Sequence, residues 1–143
     1  LVHGVRSLAL EKRLQERNTI DRIRARRPGA SWGEVRSALL GEALFGDGTR
    51  RLVDAHARRA AAPRHEYRFG WRSTALDGTL GAAHTVELPF VFDRLSVPAL
   101  RGPRGLLGPN EPPDALADAM HGAWVSYART GDPGWDGLRR FDG

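Results

Sequence analysis

The sequence predicts an α/β chain: mostly helices with one main core strand. Three observations carry this. Apolar residues recur at helical spacing in several stretches. The spacing switches once to strict alternation, at residues 66–72. The composition, 41% apolar and 27% charged over 143 residues, is that of a folded chain and not of a disordered one.

The clearest helix is predicted over 113–129. Leu116, Met120, Trp124 and Tyr127 form a stripe at i, i+4, i+8 and i+11, one face of a 3.6-residue period. Pro113 suits a first turn, where a missing amide costs nothing. Asp114 and Asp118 lie toward the positive end and Arg129 toward the negative one. Gly131 is placed to close the helix in the left-handed conformation. A polar helix is expected over the first thirty residues, with Leu10, Leu14, Ile20 and Ile23 as a sparse apolar stripe and Pro28-Gly29 as its stop. Ser31-Trp32-Gly33-Glu34 has capping-box spacing, so a helix is expected over about 32–45. Gly46-Asp47-Gly48 is expected to break it before another at about 49–62, which Pro63 stops.

The strand is the run Glu66-Tyr67-Arg68-Phe69-Gly70-Trp71-Arg72. Side chains two apart share a face, so Tyr67, Phe69 and Trp71 are expected on one buried side. A lone strand cannot satisfy its own backbone groups. This strand is therefore expected to need partners outside the chain, with at most a short second strand within it. The lone methionine, Met120, lies deep in the sequence and the first residue is Leu1. Both observations suggest a piece of a longer protein. On that reading the aromatic strand face and the stripe Leu116, Met120, Trp124 should be less buried than in a complete domain.

The chain has no cysteine, which excludes a disulfide framework, a thiolate nucleophile and a Cys-ligated metal. No apolar run approaches the ~20 residues of a membrane-spanning helix, and no basic-then-apolar leader opens the sequence. The compartment is not fixed by this, with the cytoplasm favoured. The net charge is +5, and Lys12 is the lone lysine among 22 basic residues. Scattered arginines with abundant Ala, Gly and Pro read as codon usage better than as a nucleic-acid footprint, although Arg22-Ile23-Arg24-Ala25-Arg26-Arg27 comes close to a run.

The five histidines, at 3, 56, 65, 84 and 121, show no metal-ligand spacing. His56 and His121 lie in predicted helices and His65 opens the strand. His84 follows the strand through a Gly-bearing loop and precedes an apolar stretch, a position from which an imidazole can project over the end of a sheet.

The string Leu80-Gly81-Ala82-Ala83-His84-Thr85-Val86-Glu87-Leu88-Pro89-Phe90-Val91-Phe92 resembles the catalytic-histidine segment of the type B carboxylesterase family, α/β-hydrolases that include para-nitrobenzyl esterases and cholinesterases. Residues 67–73 resemble the strand that feeds it, 123–133 the C-terminal helix and its ending, and 27–31 the helical region upstream. The resemblance spans about 25–136; residues 1–24 are unplaced. It implies that the chain is the C-terminal segment of an α/β-hydrolase, with His84 as the general base of a serine esterase. It also implies a small-molecule ester as substrate of the full-length enzyme, no cofactor, no nucleic-acid partner and no membrane. The rest of the hydrolase domain would be needed for folding. No G-x-S-x-G elbow occurs around any serine of the chain, so the nucleophile and the acid are expected elsewhere and the isolated chain is expected to be inactive. Glu87 is read as a structural residue of the string, not as the triad acid. The alternatives are a basic helical module that binds nucleic acid or an acidic partner, and a truncated product without function.

Overall fold

The computed structural model describes residues 16–59 and 63–142. The chain divides into two units, Leu1–Ala61 and Ala62–Gly143.

In the first unit residues 16–26 are helical and a turn at Pro28-Gly29 follows, where the sequence places the stop. The expected helix over residues 1–15 lies outside the described residues. Helix α1 spans Trp32–Gly41, and its capping box is complete. The Ser31 hydroxyl accepts from the Glu34 amide, and the Glu34 carboxylate accepts from the Ser31 amide. The Arg24 guanidinium stacks over the Trp32 ring at 4.1 Å, a cation–π contact.

The predicted break at Gly46-Asp47-Gly48 is not there. The chain passes from α1 through one π-helical turn, Glu42–Gly46, into helix α2, Asp47–Arg59. Side-chain electrostatics override the low helix propensity of glycine. The Arg50 guanidinium pairs with Glu42 at 2.7 Å and also with Asp47, so one cation spans the π turn. A Cβ at Gly46 would sit 2.7 Å from the Glu42 carboxylate oxygen. Glycine there leaves room for the ion pair.

The second unit is built around two strands, β1 (His65–Phe69) and β2 (Gly137–Phe141). They pair in parallel, His65 with Gly137 through Phe69 with Phe141. The short second strand that the sequence reading allowed is present, and the expectation that the strand's partners lie outside the chain is corrected. The strand has a partner within the chain, supplied by a segment whose Gly-Leu-Arg-Arg-Phe sequence carries too little alternation to stand out. Parallel pairing requires a long crossover, and residues 70–136 provide it. They include a short helix α3 (Leu88–Val91), a 3₁₀ turn (Pro98–Leu100) and helix α4 (Asp114–Thr130). The architecture is mostly helical with a small two-stranded parallel sheet. It has mixed α/β content, and the wider sheet of an α/β-hydrolase is not shown.

Helix α4 ends as its sequence predicts: Gly131 has φ +76° and its amide bonds the Tyr127 carbonyl at 2.8 Å. The core of this unit gathers Phe90, Val91 and Leu95 with Leu107, Leu116, Ala117, Met120 and Phe141. Two of the three stripe residues, Leu116 and Met120, are buried, while Trp124 is 45% exposed. Tyr67, Phe69 and Trp71 are half-buried against the core. The expected under-burial thus holds for Trp124 and the aromatic strand face and fails for Leu116 and Met120, which α3 covers. Among the described residues no helix is long and apolar enough to cross a membrane.

Candidate functional site

His84 sits on a turn whose shape is set from both sides. Upstream, Ser73 and Gly81 form an isolated antiparallel bridge that closes the loop after β1. Ser73 is buried, and its hydroxyl accepts from the Ala75 amide at 3.1 Å, a local turn that holds the loop neck. Inside the loop the amides of Gly78 and Thr79 return to the carbonyls of Thr74, Ala75 and Leu76. Gly108, from the Pro/Gly-rich excursion, packs onto this neck: a Cβ there would lie 2.5 Å from both the Ala75 amide nitrogen and the Thr74 hydroxyl.

Downstream, residues 84–87 form a turn that leads into α3. The Val86 amide bonds the Ala83 carbonyl and the Leu88 amide bonds the Thr85 carbonyl. Val86, Pro89, Phe90 and Val91 are buried and fasten the turn to the core. Thr85 has φ +74°, a conformation that a β-branched residue adopts at a cost of order 1–3 kcal/mol. Strain thus lies directly beside the candidate base, held by the packing beneath it. His84 itself is exposed. Its imidazole stands on the solvent side of a rigid turn, not in a dry interior between aliphatic neighbours.

Glu87 ends the turn and stands at the N-cap of α3, and its carbonyl accepts from the amides of Phe90 and Val91. Burial, and then the nearby Glu87 carboxylate, push the Tyr67 hydroxyl above its ordinary value, while a hydrogen bond with Trp124 works in the other direction. Glu87 therefore lies within electrostatic reach of the strand's aromatic face.

The other described histidines have different surroundings. The His121 Nδ1 donates to the Val91 carbonyl at 2.9 Å and ties α4 to α3. His56 is exposed on α2, and His3 lies outside the described residues. His65 is the residue that sequence reasoning missed. Its Nδ1 lies 2.6 Å from the Trp135 carbonyl oxygen, and its ring meets Tyr127 and Trp135 edge-on at 5.9 and 6.4 Å. It lines a cavity of about 180 Å³ with Tyr67, Trp124, Tyr127 and Trp135. The available signal was the shared face of His65 and Tyr67, two apart on the strand, facing the Trp124–Tyr127 end of the helical stripe. His84 does not line this cavity. No group of three or more His, Asp or Glu side chains gathers among the described residues as a metal centre would need.

Comparison with known proteins corrects the reading of family. Residues 1–43 match a family model described as "Putative nucleotidyltransferase substrate binding domain". The chain is also similar to a phenmedipham hydrolase of Pseudarthrobacter oxydans, 35% identical over 113 residues. That match takes in 77% of this chain and 22% of the relative, so the chain spans about a fifth of that protein's length. A match of this extent includes residue 84 wherever along the chain it begins. Neither finding indicates the type B carboxylesterase family, and that assignment falls. It rested on one thirteen-residue string and short flanking matches, and the helical region it drew on at 27–31 lies inside the stretch matched by the nucleotidyltransferase-associated model. What stands is similarity to a hydrolase in the part that carries His84, and similarity to a nucleotidyltransferase-associated domain in the first 43 residues.

Proposed function

We propose that the second unit is the histidine-bearing segment of a hydrolase of carboxylic esters, with His84 as its general base. The observation that carries this is the 35% identity to a hydrolase across a stretch that includes His84. The geometry agrees with the role. The imidazole is exposed on a turn fixed by buried Val86 and Phe90, beside a strained Thr85, and a base must be both accessible and held in place. In this reading a serine on another part of the enzyme attacks the ester carbonyl. His84 takes the serine proton and returns it to the departing alcohol, and a carboxylate from outside this chain orients the ring. Glu87 remains with the scaffold.

The test is complementation. The chain is co-expressed with the phenmedipham hydrolase of P. oxydans shortened by its matching stretch, and hydrolysis of a short-chain nitrophenyl ester is measured. The chain alone should show no turnover. The pair should show turnover that falls by about 10³-fold or more in His84→Gln. Turnover by the pair that survives this substitution would overturn the role of His84.

A second reading applies to the first unit, because the nucleotidyltransferase-associated model covers residues 1–43. There the arginines at 22, 24, 26, 27 and 36 give a helical surface suited to a nucleotide's phosphates. Saturable binding of a nucleoside triphosphate, weakened in Arg26→Ala and by added salt, would support it. No binding at low salt would dismiss it.

A further inference from the structure

The first unit hides almost none of its apolar surface. Among its described residues, 16–59, Val35 alone is buried. The large apolar side chains stand outside: Leu40, Leu44, Phe45 and Leu52 are each more than half exposed, Leu44 and Leu52 at 69% and 71%. One exposed leucine is ordinary, but a set of them on one side marks a surface that something covers. Leu40, Leu44, Gly48 and Leu52 recur at four-residue spacing through α1, the π turn and α2. On an ideal α-helix of 3.6 residues per turn that spacing drifts by about 40° per step. The wider π turn takes back part of the drift, so the three leucines stay on one side. The pairs of Arg50 with Glu42 and Asp47 hold that turn. A Cβ at Gly48 would meet no atom within 4 Å, which leaves an open gap in the stripe between Leu44 and Leu52.

The extent of the hydrolase match indicates what covers this side. At 77% of the chain it includes residues 40–52 wherever along the chain it begins, and at 22% of the relative it leaves most of that protein outside. The nucleotidyltransferase-associated model stops at residue 43, short of Leu44, Phe45 and Leu52.

We infer that Leu40, Leu44, Phe45 and Leu52 form a docking face for an apolar surface on that remaining part of a hydrolase, with a partner side chain entering the gap at Gly48. Removing the four side chains from water drives the contact, and the gap lets the partner approach the helix backbone closely. The inference rests on the hydrolase reading and adds to it the surface through which the parts join.

The test uses the co-expressed pair, the chain with the shortened P. oxydans hydrolase, captured through a tag on the hydrolase. Two readouts need no activity: co-purification, and hydroxyl-radical labelling of the exposed side chains. The native chain should co-purify, and labelling of Leu40, Leu44, Phe45 and Leu52 should fall on pairing. Gly48→Phe fills the gap while replacing a poor helix former where there is open space, so its fold should persist. Leu44→Arg changes an exposed side chain. Each should weaken capture by about tenfold or more, as loss of a central interface contact does. The inference is overturned if the native chain is not captured, if the face is labelled alike in chain and pair, or if both variants are captured as well as the native chain. It is also overturned if vesicles of anionic phospholipid protect the face and the hydrolase does not. A pair that assembles through this face without His84-dependent ester turnover keeps the inference and removes the hydrolase reading. A pair with that turnover and an unprotected face does the reverse.

Discussion

One aromatic-face residue and two turn residues hold most of what is specific to the described part of this chain. Thr85 stores backbone strain next to His84, and Val86 beneath it is fully buried. The His84 turn is thereby fastened to the core by its neighbours. Tyr67 carries the chain's clearest titration signal. Its hydroxyl is raised from 10.0 by burial first and by the Glu87 carboxylate second. The folded protein therefore keeps this proton at a pH where the unfolded chain has released it. The contribution is fully present below about pH 10 and is lost as pH climbs through the folded value. Urea midpoints measured by circular dichroism should accordingly fall as the pH rises past about 10 in the native chain. They should fall less steeply in Tyr67→Phe, which removes the titrating group and keeps the ring. Equal slopes in the two proteins would show that Tyr67 does not feel its surroundings as described.

At the scale of elements, sequence reasoning succeeded where one local rule acted alone. Helix α4 lies within one residue of its predicted bounds because its stripe, its Pro113 entry and its Gly131 exit all point to the same limits. The Ser31–Glu34 capping box formed because both partners are close in sequence. The failures share a different cause. Continuity through Gly46-Asp47-Gly48 depends on Arg50 reaching Glu42 eight residues back, an interaction that a glycine-counting rule does not see. The pairing of β1 with β2 joins residues 72 positions apart, and β2 is marked by an exposed Leu138 and a buried Phe141 in place of a clean alternation. The candidate sites divide in the same way. His84 was named as a candidate from the string around it. The His65 cavity was not, since it exists only once a strand, a helix and the Trp135 loop converge.

At the scale of the whole molecule, two likenesses run along the chain, and the hydrolase match, 113 residues long, is longer than the second unit and extends into the first. The nucleotidyltransferase-associated match lies within Leu1–Ala61, while His84 and the His65 cavity belong to Ala62–Gly143. The second unit has a core drawn from its own residues, with Phe90 at the centre. Phe90 is fully buried and packs its ring against Trp71 at 4.9 Å and Phe69 at 5.2 Å. It also anchors the helix that follows the His84 turn, so one side chain links the stability of the unit to the placement of His84. Truncating a buried phenylalanine costs about 3–5 kcal/mol through lost transfer energy and the cavity left behind. That is a large share of the roughly 5–15 kcal/mol that holds a domain folded. Phe90→Ala should therefore lower the urea midpoint of the second unit sharply, read from the indole signals of Trp71, Trp124 and Trp135. Those three signals should lose their folded positions together, because strand, helix and loop share this one core. If Trp71 alone were to respond while Trp124 and Trp135 kept their folded positions, the core would be two independent clusters, and the His84 turn would owe its position to something other than Phe90.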